Sequence, residues 1–142
     1  MIGRKRYPRS CSLAWCADTD VIVGLLKVEE EAVSSVKEVQ DGGEIVKTTA
    51  ISAYELLKGS AISSKPNENL TLVGDLLTSL WILLLDRDSS VASNIYGEMK
   101  SKGLIIGEFD ILIAAIAIQN DETLISKDKH FRIVENLSLK TW

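Results

Sequence analysis

Several carboxylates in this sequence have types and spacings that suit a divalent cation. Asp18 and Asp20 lie in the apolar stretch "CADTDVIVGLL" (residues 16–26), separated by a single threonine. Two like charges this close repel each other, so a protein keeps them together either in open solvent or around a bound cation. A carboxylate-held cation would give metal-assisted chemistry, because the ion acidifies a bound water and neutralises charge on a phosphate group.

Other acids are placed in the same way relative to apolar segments. Asp86 and Asp88 follow "ILLL", and Asp128 follows "TLIS". Asp110 precedes "ILIAAIAI", and Glu55 lies one turn into a predicted helix. Parallel sheets bind ligands at the carboxyl ends of their strands, where the following helices also begin. We therefore expect these carboxylates to converge on one edge of a sheet, where Mg²⁺ or Mn²⁺ would offset their repulsion.

Each of these acids also has a purely structural interpretation. Asp18, Asp20 or Asp110 could cap a helix N-terminus, which would stabilise the helix by about 1 kcal/mol. Ser52 and Glu55 have the spacing of a capping box, and the remaining acids could be solvated turn residues. Independent caps need not share one edge, so the residues taken together favour the metal site.

Strand-like and helix-like segments alternate along the chain. β-Branched and apolar segments predict strands at residues 12–17, 44–50, 82–86, 122–128 and 137–142. Helical periodicity predicts a helix starting at residue 21 and helices at 29–40, 52–59, 70–81, 88–103 and 110–120, with a loop at 60–69. Glycines at the ends of these segments are interpreted as helix stops. This order predicts a three-layer α/β/α sandwich with a parallel sheet of four or five strands.

The composition is that of an ordinary globular protein. The 142 residues are 46 % apolar and 25 % charged, which suits one domain with a sizeable core. No apolar run approaches the roughly 20 residues of a membrane span, and no convincing signal peptide is present, so we expect a cytoplasmic protein without a membrane role. Cys11 and Cys16 lack a zinc-binding spacing and are expected to be reduced, partly buried thiols. Trp81 is expected in the core.

Charge is unevenly distributed along the chain. Residues 1–12 contain four basic residues and no acid, although the net charge of the whole chain is −4. We interpret residues 1–12 as a basic N-terminal extension and residues 13–142 as the folded domain. Such an arm could contact nucleic acid or remain solvated.

Four segments of the chain resemble the motifs of PIN-domain proteins. They are "ADTDVIVGLL" (17–26), "TTAISAYELLKG" (48–59), "GEFDILIAAIAI" (107–118) and "LISKDKHF" (124–131), the last followed by "LSLKTW". Their order is that of the family, and the resemblance covers about residues 13–142. Small single-domain proteins with this layout resemble the VapC-type toxins of toxin–antitoxin pairs. The chain departs from the pattern in its extra N-terminal residues and in a first strand poor in Val, Ile and Leu.

The resemblance implies a Mg²⁺- or Mn²⁺-dependent ribonuclease that hydrolyses RNA phosphodiester bonds. The positions that it implies for the catalytic, metal-binding acids are Asp18, Glu55, Asp110 and Asp128. Ser126 matches a hydroxyl position beside the last acid. Asp20 stands where Asn is common in the family, and we interpret it as a supporting residue that caps the turn. The resemblance also implies a homodimer and a cognate antitoxin whose extended tail lies across the active-site groove.

Other functions remain open from the residues alone. Haloacid-dehalogenase-like phosphatases also begin with D-x-D at a strand end, and Asp18 would then be a covalent nucleophile. A catalytically inactive PIN-like module would bind RNA or protein through the same fold. A phospho-receiver domain would use Asp86 as its acceptor. The presence of all four acids favours the nuclease.

Overall fold

The fold is built on a parallel sheet, seen in a computed structural model that describes residues 14–87 and 89–142. Its strands are β1 (Ala14–Ala17), β2 (Val46–Thr49), β3 (Trp81–Leu83), β4 (Glu122–Ile125) and β5 (Ser138–Lys140). Every neighbouring pair is parallel, and the order across the sheet is β3-β2-β1-β4-β5. The predicted parallel sheet is confirmed. The predictions for the basic extension, Cys11 and Asp88 lie outside the described residues.

Helices connect these strands and cover the sheet. They are α1 (Thr19–Leu26), α2 (Glu30–Asp41), α3 (Ala50–Ala61), α4 (Pro66–Ser79), α5 (Ser90–Ser101) and α6 (Glu108–Gln119), and a 3₁₀ helix (Lys129–Ile133) precedes β5. No helix in the part of the chain that the structure describes is both long and apolar enough to cross a membrane.

Hydrophobic clusters fill both sides of the sheet. On one face, Cys16 of β1 and Leu124 of β4 pack with buried residues of α5 and α6. On the other face, Ala17 and Ile125 pack with residues of α1, α2 and α4. Successive strand residues point to opposite faces, and all four of these side chains are buried. The predicted three-layer α/β/α sandwich is confirmed. The buried position of Cys16 also raises the pKa of its thiol.

Two of the three predicted glycine stops are found where a helix ends. Gly43 and Gly103 follow α2 and α5 with φ of +80° and +67°, a conformation that glycine adopts without a side-chain clash. Gly59 was predicted to end its helix, but α3 continues through it to Ala61. The apolar helix predicted at 110–120 is α6, and it is buried as expected.

The predicted loop at 60–69 is mostly helical in the structure. Helix α3 reaches Ala61 and helix α4 begins at Pro66, so the connection is short. Pro66 was interpreted as a helix breaker, but a proline at the first helical position lacks only an N–H that the helix does not use there. Pro66 therefore starts helix α4 and does not interrupt a helix.

The buried strand predicted at 82–86 is shorter and less buried than expected. It is β3, which lies at an edge of the sheet, and only Leu83 of its residues is buried. Trp81 is 46 % exposed, so its predicted place in the core is wrong. An edge strand is packed less completely than a central one, and an apolar run in the sequence does not distinguish the two.

Candidate active site

A cavity at the carboxyl edge of the sheet is lined by acids from separate elements. Its lining residues are Asp18, Thr19, Asp20, Val23, Lys27, Glu29, Glu55, Asp110, Lys127 and Asp128. The topology explains this convergence, because β1 and β4 end at this edge and α1, α3 and α6 begin there. The structure thus brings together the four acids predicted for the site and the supporting residue Asp20.

Asp18 follows β1 and caps helix α1. Its Oδ1 accepts a hydrogen bond from the Thr19 N–H at 2.7 Å, and its Oδ2 accepts one from the Ser126 hydroxyl at 2.7 Å. The side chain is buried, which raises the pKa of Asp18 to about 7. The negative charges of Asp20 and Asp110 raise this pKa further, whereas the hydrogen bond from Ser126 lowers it. Asp18 is therefore a desolvated carboxyl group whose ionised form needs additional positive charge.

Asp20 is not the helix cap that the sequence suggested, since Asp18 takes that role. Its carboxylate instead accepts hydrogen bonds from the Lys127 N–H at 2.9 Å and from the Trp142 indole N–H at 3.2 Å. The Ser126 hydroxyl lies 3.2 Å from the same carboxylate. Asp20 thus connects the start of α1 to the segment after β4 and to the residue that follows β5, which is a supporting role.

Glu55 faces the cavity from the second turn of α3. Its Oε1 lies 3.0 Å from the Thr19 hydroxyl, which is also 3.0 Å from the Ser52 hydroxyl. The predicted capping box is wrong, because the helix is capped by Thr49, whose Oγ1 accepts from the Ser52 N–H at 3.0 Å. Glu55 is consequently oriented toward the other acids, through Thr19, and not toward its own helix N-terminus.

Asp110 is the third residue of α6 and does not cap it. The N-cap position belongs to Gly107, and Asp110 lies in the first turn, near the positive end of the helix dipole. Burial raises the pKa of Asp110, and the charges of Asp128 and Glu55 raise it further. These two acids influence Asp110 because the cavity brings α3, α6 and the segment after β4 together.

Asp128 caps the 3₁₀ helix and completes the group of acids. Its Oδ1 accepts from the His130 backbone N–H at 2.9 Å and lies 2.9 Å from His130 Nδ1. Its own N–H donates to the Ser126 hydroxyl oxygen at 3.0 Å. Ser126 is buried, and its hydroxyl lies between Asp18 and this segment.

Asp86 does not join this group, contrary to the expectation for strand-end acids. Its backbone N–H donates to Gln119 Oε1 at 3.2 Å, at the end of α6 opposite Asp110. Nine residues of helix separate Asp110 from Gln119, or about 13 Å at 1.5 Å per residue. After β3 the chain turns toward the far end of α6. Asp86 therefore does not reach the site, although it follows a strand.

Thr19, Lys127 and Trp142 contribute to the cavity or its support and were not predicted. Thr19 and Lys127 each adjoin a predicted acid, so their places within the motifs were a usable signal. Trp142 gave no such signal, because its contact with Asp20 spans 122 positions of sequence.

The donor set of the cavity fits a hard divalent cation. Six carboxyl groups line it against two lysines, Lys27 and Lys127, so its described lining residues carry an excess of negative charge. Within residues 14–87 and 89–142, no group of three or more His, Cys, Asp or Glu side chains is arranged to hold a metal ion directly. Mg²⁺ keeps several of its waters and is usually bound through only one or two carboxylates, so such an arrangement is not required for it.

Comparison with known proteins agrees with this geometry. The family model of the PIN domain matches residues 16–137. The ribonuclease VapC2 of Rickettsia felis is 28 % identical over 135 residues, covering 92 % of this chain and 98 % of that protein. The ribonuclease VapC2 of Haemophilus influenzae is 29 % identical over 132 residues with the same coverage. A chain in the crystal structure of VapBC2 from R. felis bound to a promoter DNA fragment superimposes with a TM-score of 0.84 at 26 % identity, covering 92 % of this chain and 99 % of that chain. The match of the family model over most of the chain shows that this protein belongs to the PIN-domain family.

Proposed function

We propose that this protein is a Mg²⁺- or Mn²⁺-dependent endoribonuclease that hydrolyses RNA phosphodiester bonds, and that it is the toxin of a type II toxin–antitoxin pair. The observation that carries the proposal is the convergence of Asp18, Glu55, Asp110 and Asp128 on one cavity. Burial raises the pKa of both Asp18 and Asp110, and repulsion from neighbouring carboxylates raises each pKa further, as expected for a site that requires a cation.

The residues of the chain have separable roles in this proposal. Asp18, Glu55, Asp110 and Asp128 would hold the metal, one or two of them directly and the others through its bound waters, and the metal would supply charge stabilisation at the phosphate and acidify a water. Ser126 and the Thr19 N–H keep the Asp18 carboxylate in a fixed orientation by hydrogen bonds to its two oxygens. The Thr19 hydroxyl holds Glu55 beside Asp18, and Asp20 fixes the segment that carries Asp128.

The similar proteins support the finer parts of the proposal. The two relatives are named ribonucleases, and the similar crystal structure is a VapBC2 assembly. We infer single-stranded RNA as substrate, a cognate antitoxin and a second copy of this chain as partners, and a cytoplasmic location. A covalent phosphatase role for Asp18 fits less well, because both of its oxygens already accept hydrogen bonds within a buried setting.

RNA cleavage by the purified protein tests this function. We expect a single-stranded RNA to be cut with Mg²⁺ or Mn²⁺ and to remain intact with EDTA. Asp110→Asn should reduce the cleavage rate by at least about 100-fold, since it removes charge that the reaction needs, while the fold is retained. Asp75→Asn, at an exposed position of α4, is the matched control and should cut like the parent.

Two results would contradict the proposal. Equal cleavage by Asp110→Asn and the parent would exclude the metal assignment. Phosphate trapped on Asp18 from a small phosphate ester, without RNA cleavage, would indicate the phosphatase instead.

A further inference from the structure

Trp142, which follows β5, is fitted closely against helix α1. Its indole N–H donates to Asp20 Oδ1 at 3.2 Å, and its ring packs against the hydrophobic cluster that contains Ala17 and Ile22. A Cβ atom added to Gly24 would lie 3.1 Å from Trp142 Cη2 and 2.6 Å from Ala32 Cβ. The absence of a side chain at Gly24 is therefore what allows Trp142 to approach.

Lys127 stacks on the same indole ring and is one of the residues that line the acidic cavity. Its Nζ is 4.0 Å from the ring centroid of Trp142 and 3.9 Å from Glu29 Oε2. The Lys127 backbone N–H donates to Asp20, so both ends of the residue are held. Within the described residues no hydrogen bond uses Lys127 Nζ as donor, and the side chain is 50 % exposed. Its ammonium group therefore retains donors for a ligand.

Lys127 is better suited to fixed recognition than the other lysine of the cavity. Lys27 lies at the C-cap of α1, and no ring contact or ion pair in residues 14–87 and 89–142 holds its side chain. A flexible lysine loses side-chain entropy when it is immobilised on a ligand. The cation–π contact with Trp142 restricts Lys127 in advance, which reduces this cost.

We propose that Lys127 binds a phosphate group of the RNA backbone and that Trp142 is a positioning residue, whose ring holds Lys127 and is itself anchored to Asp20 by the indole N–H. This inference rests on the proposed function. A cavity with a large excess of carboxylates repels a polyanion, so a cation fixed in its lining has a direct role in guiding the strand to the acids.

Steady-state cleavage of a short single-stranded RNA with Mg²⁺ tests the two residues together. Lys127→Met should raise KM about 5- to 10-fold and change kcat little, because a phosphate contact is lost but the acids remain. The dependence of log kcat/KM on log salt concentration should become shallower by about 0.7, the value for one lost contact to a single strand.

The Trp142 variants separate positioning from general structural support. Trp142→Ala should raise KM like Lys127→Met, and the double variant should be no worse than Lys127→Met alone, since both act through one ammonium group. Trp142→Phe keeps a ring under Lys127 and should recover part of the loss. If Trp142→Ala fails to fold, Trp142→Phe and Lys127→Met carry the test.

A matched control exists in a second stacked lysine. Lys140 Nζ lies 5.2 Å from the ring centroid of Trp15 and 3.3 Å from Glu38 Oε2, and it does not line the cavity. Lys140→Met should therefore leave KM and the salt dependence unchanged, which shows that loss of a surface lysine is not sufficient for the effect.

The remaining outcomes contradict phosphate binding by Lys127, the positioning role of Trp142 or the proposed function. An unchanged KM in Lys127→Met overturns phosphate binding, and additive effects of Lys127→Met and Trp142→Ala overturn the positioning role. A parent protein that binds a fluorescent RNA but cuts nothing overturns the proposed function, and the salt dependence of that binding then tests Lys127. A parent that neither binds nor cuts RNA overturns both.

Discussion

The same sheet carries two groups of buried charged side chains, and they differ in the sign of their charged neighbours. Lys47 of β2 and Glu122 of β4 form an ion pair at 2.6 Å, with side chains only 6 % and 1 % exposed. Burial raises the pKa of Glu122, while Lys47 opposes that shift. At the carboxyl edge, Asp18 is also buried, but its charged neighbours are Asp20 and Asp110, so repulsion adds to burial.

This difference in charge balance indicates that the two groups have different roles. The Lys47–Glu122 pair is neutralised within the chain, although Glu122 Oε2 has no hydrogen-bond partner among the described residues. A buried pair of this kind contributes little net stability but becomes costly when one partner is removed. Among the described residues, the acids that line the cavity outnumber its lysines by six to two. Under the proposed function, a bound cation neutralises this excess.

Removal of one partner of the ion pair should have the largest effect on stability. Lys47→Met leaves Glu122 as an unpaired buried carboxyl group, and we expect the free energy of unfolding to fall by about 3 to 5 kcal/mol at pH 7. Urea denaturation measures the change. The deficit should shrink at pH 5, where Glu122 takes up a proton more easily.

The matched control replaces both partners of the pair with apolar residues. Lys47→Met combined with Glu122→Leu should be close to the parent in stability, because neither charge is then left buried. A double variant as unstable as Lys47→Met alone would show that packing and not charge compensation is lost.

At the cavity, removal of a charge should raise the free energy of unfolding instead of lowering it. The pH dependence of stability measures this effect. The folded chain retains a proton on Asp18 up to about pH 7, whereas the unfolded chain releases it near its ordinary pKa. The free energy of unfolding should therefore fall as the pH rises through this window, by up to about 1.4 kcal/mol per unit. Asp18→Asn should lose that slope and be more stable than the parent at pH 7 in EDTA.

The same slope in Asp18→Asn and in the parent would contradict this account of Asp18. Glu98→Gln is a useful control for the pH series, since Glu98 of α5 pairs with Lys102 at 3.4 Å and does not line the cavity. Its slope between pH 4 and pH 7 should follow the parent.

Added Mg²⁺ should stabilise the protein through the cavity acids and not through the Lys47–Glu122 pair. This is the smallest of the expected effects on stability. A cation that binds only the folded chain stabilises it by about 1.4 kcal/mol at ten times its Kd, so the thermal midpoint of the parent should rise. Lys47→Met should show the same rise, whereas Asp110→Asn should show a smaller one. An equal rise in Asp110→Asn and the parent would mean that Mg²⁺ binds elsewhere.

Local patterns in the sequence were sufficient for the architecture and for five of the six acids that line the cavity, while Glu29 was not predicted. Asp18, Glu55, Asp110 and Asp128 each adjoin an element whose start or end is visible in the sequence, and the parallel topology then places them at one edge. Asp86 failed the same reasoning because the chain after the edge strand β3 turns toward the far end of α6. Helix caps were also misassigned, since the cap depends on which side chain reaches a backbone N–H and several polar residues lie within reach.

Contacts between distant parts of the chain could not be predicted from those patterns. The Lys47–Glu122 pair joins residues 75 positions apart, across the intervening strand β1. Each residue alone is an ordinary charge at the start of a short strand, and nothing local indicates burial. The support of Asp20 by Trp142 is of the same kind.

The order of the strands also sets when the site can be completed. Strand β5 and Trp142 come at the end of the described chain, yet Trp142 contacts Asp20 at the start of α1, 122 positions earlier. The Ser126 N–H likewise donates to the Lys140 carbonyl oxygen of β5. A nascent chain whose β5 is still inside the ribosome therefore lacks these supports of Asp20 and Ser126. Under the proposed function, a newly made copy has a fully supported cavity only once β5 has left the ribosome and paired with β4.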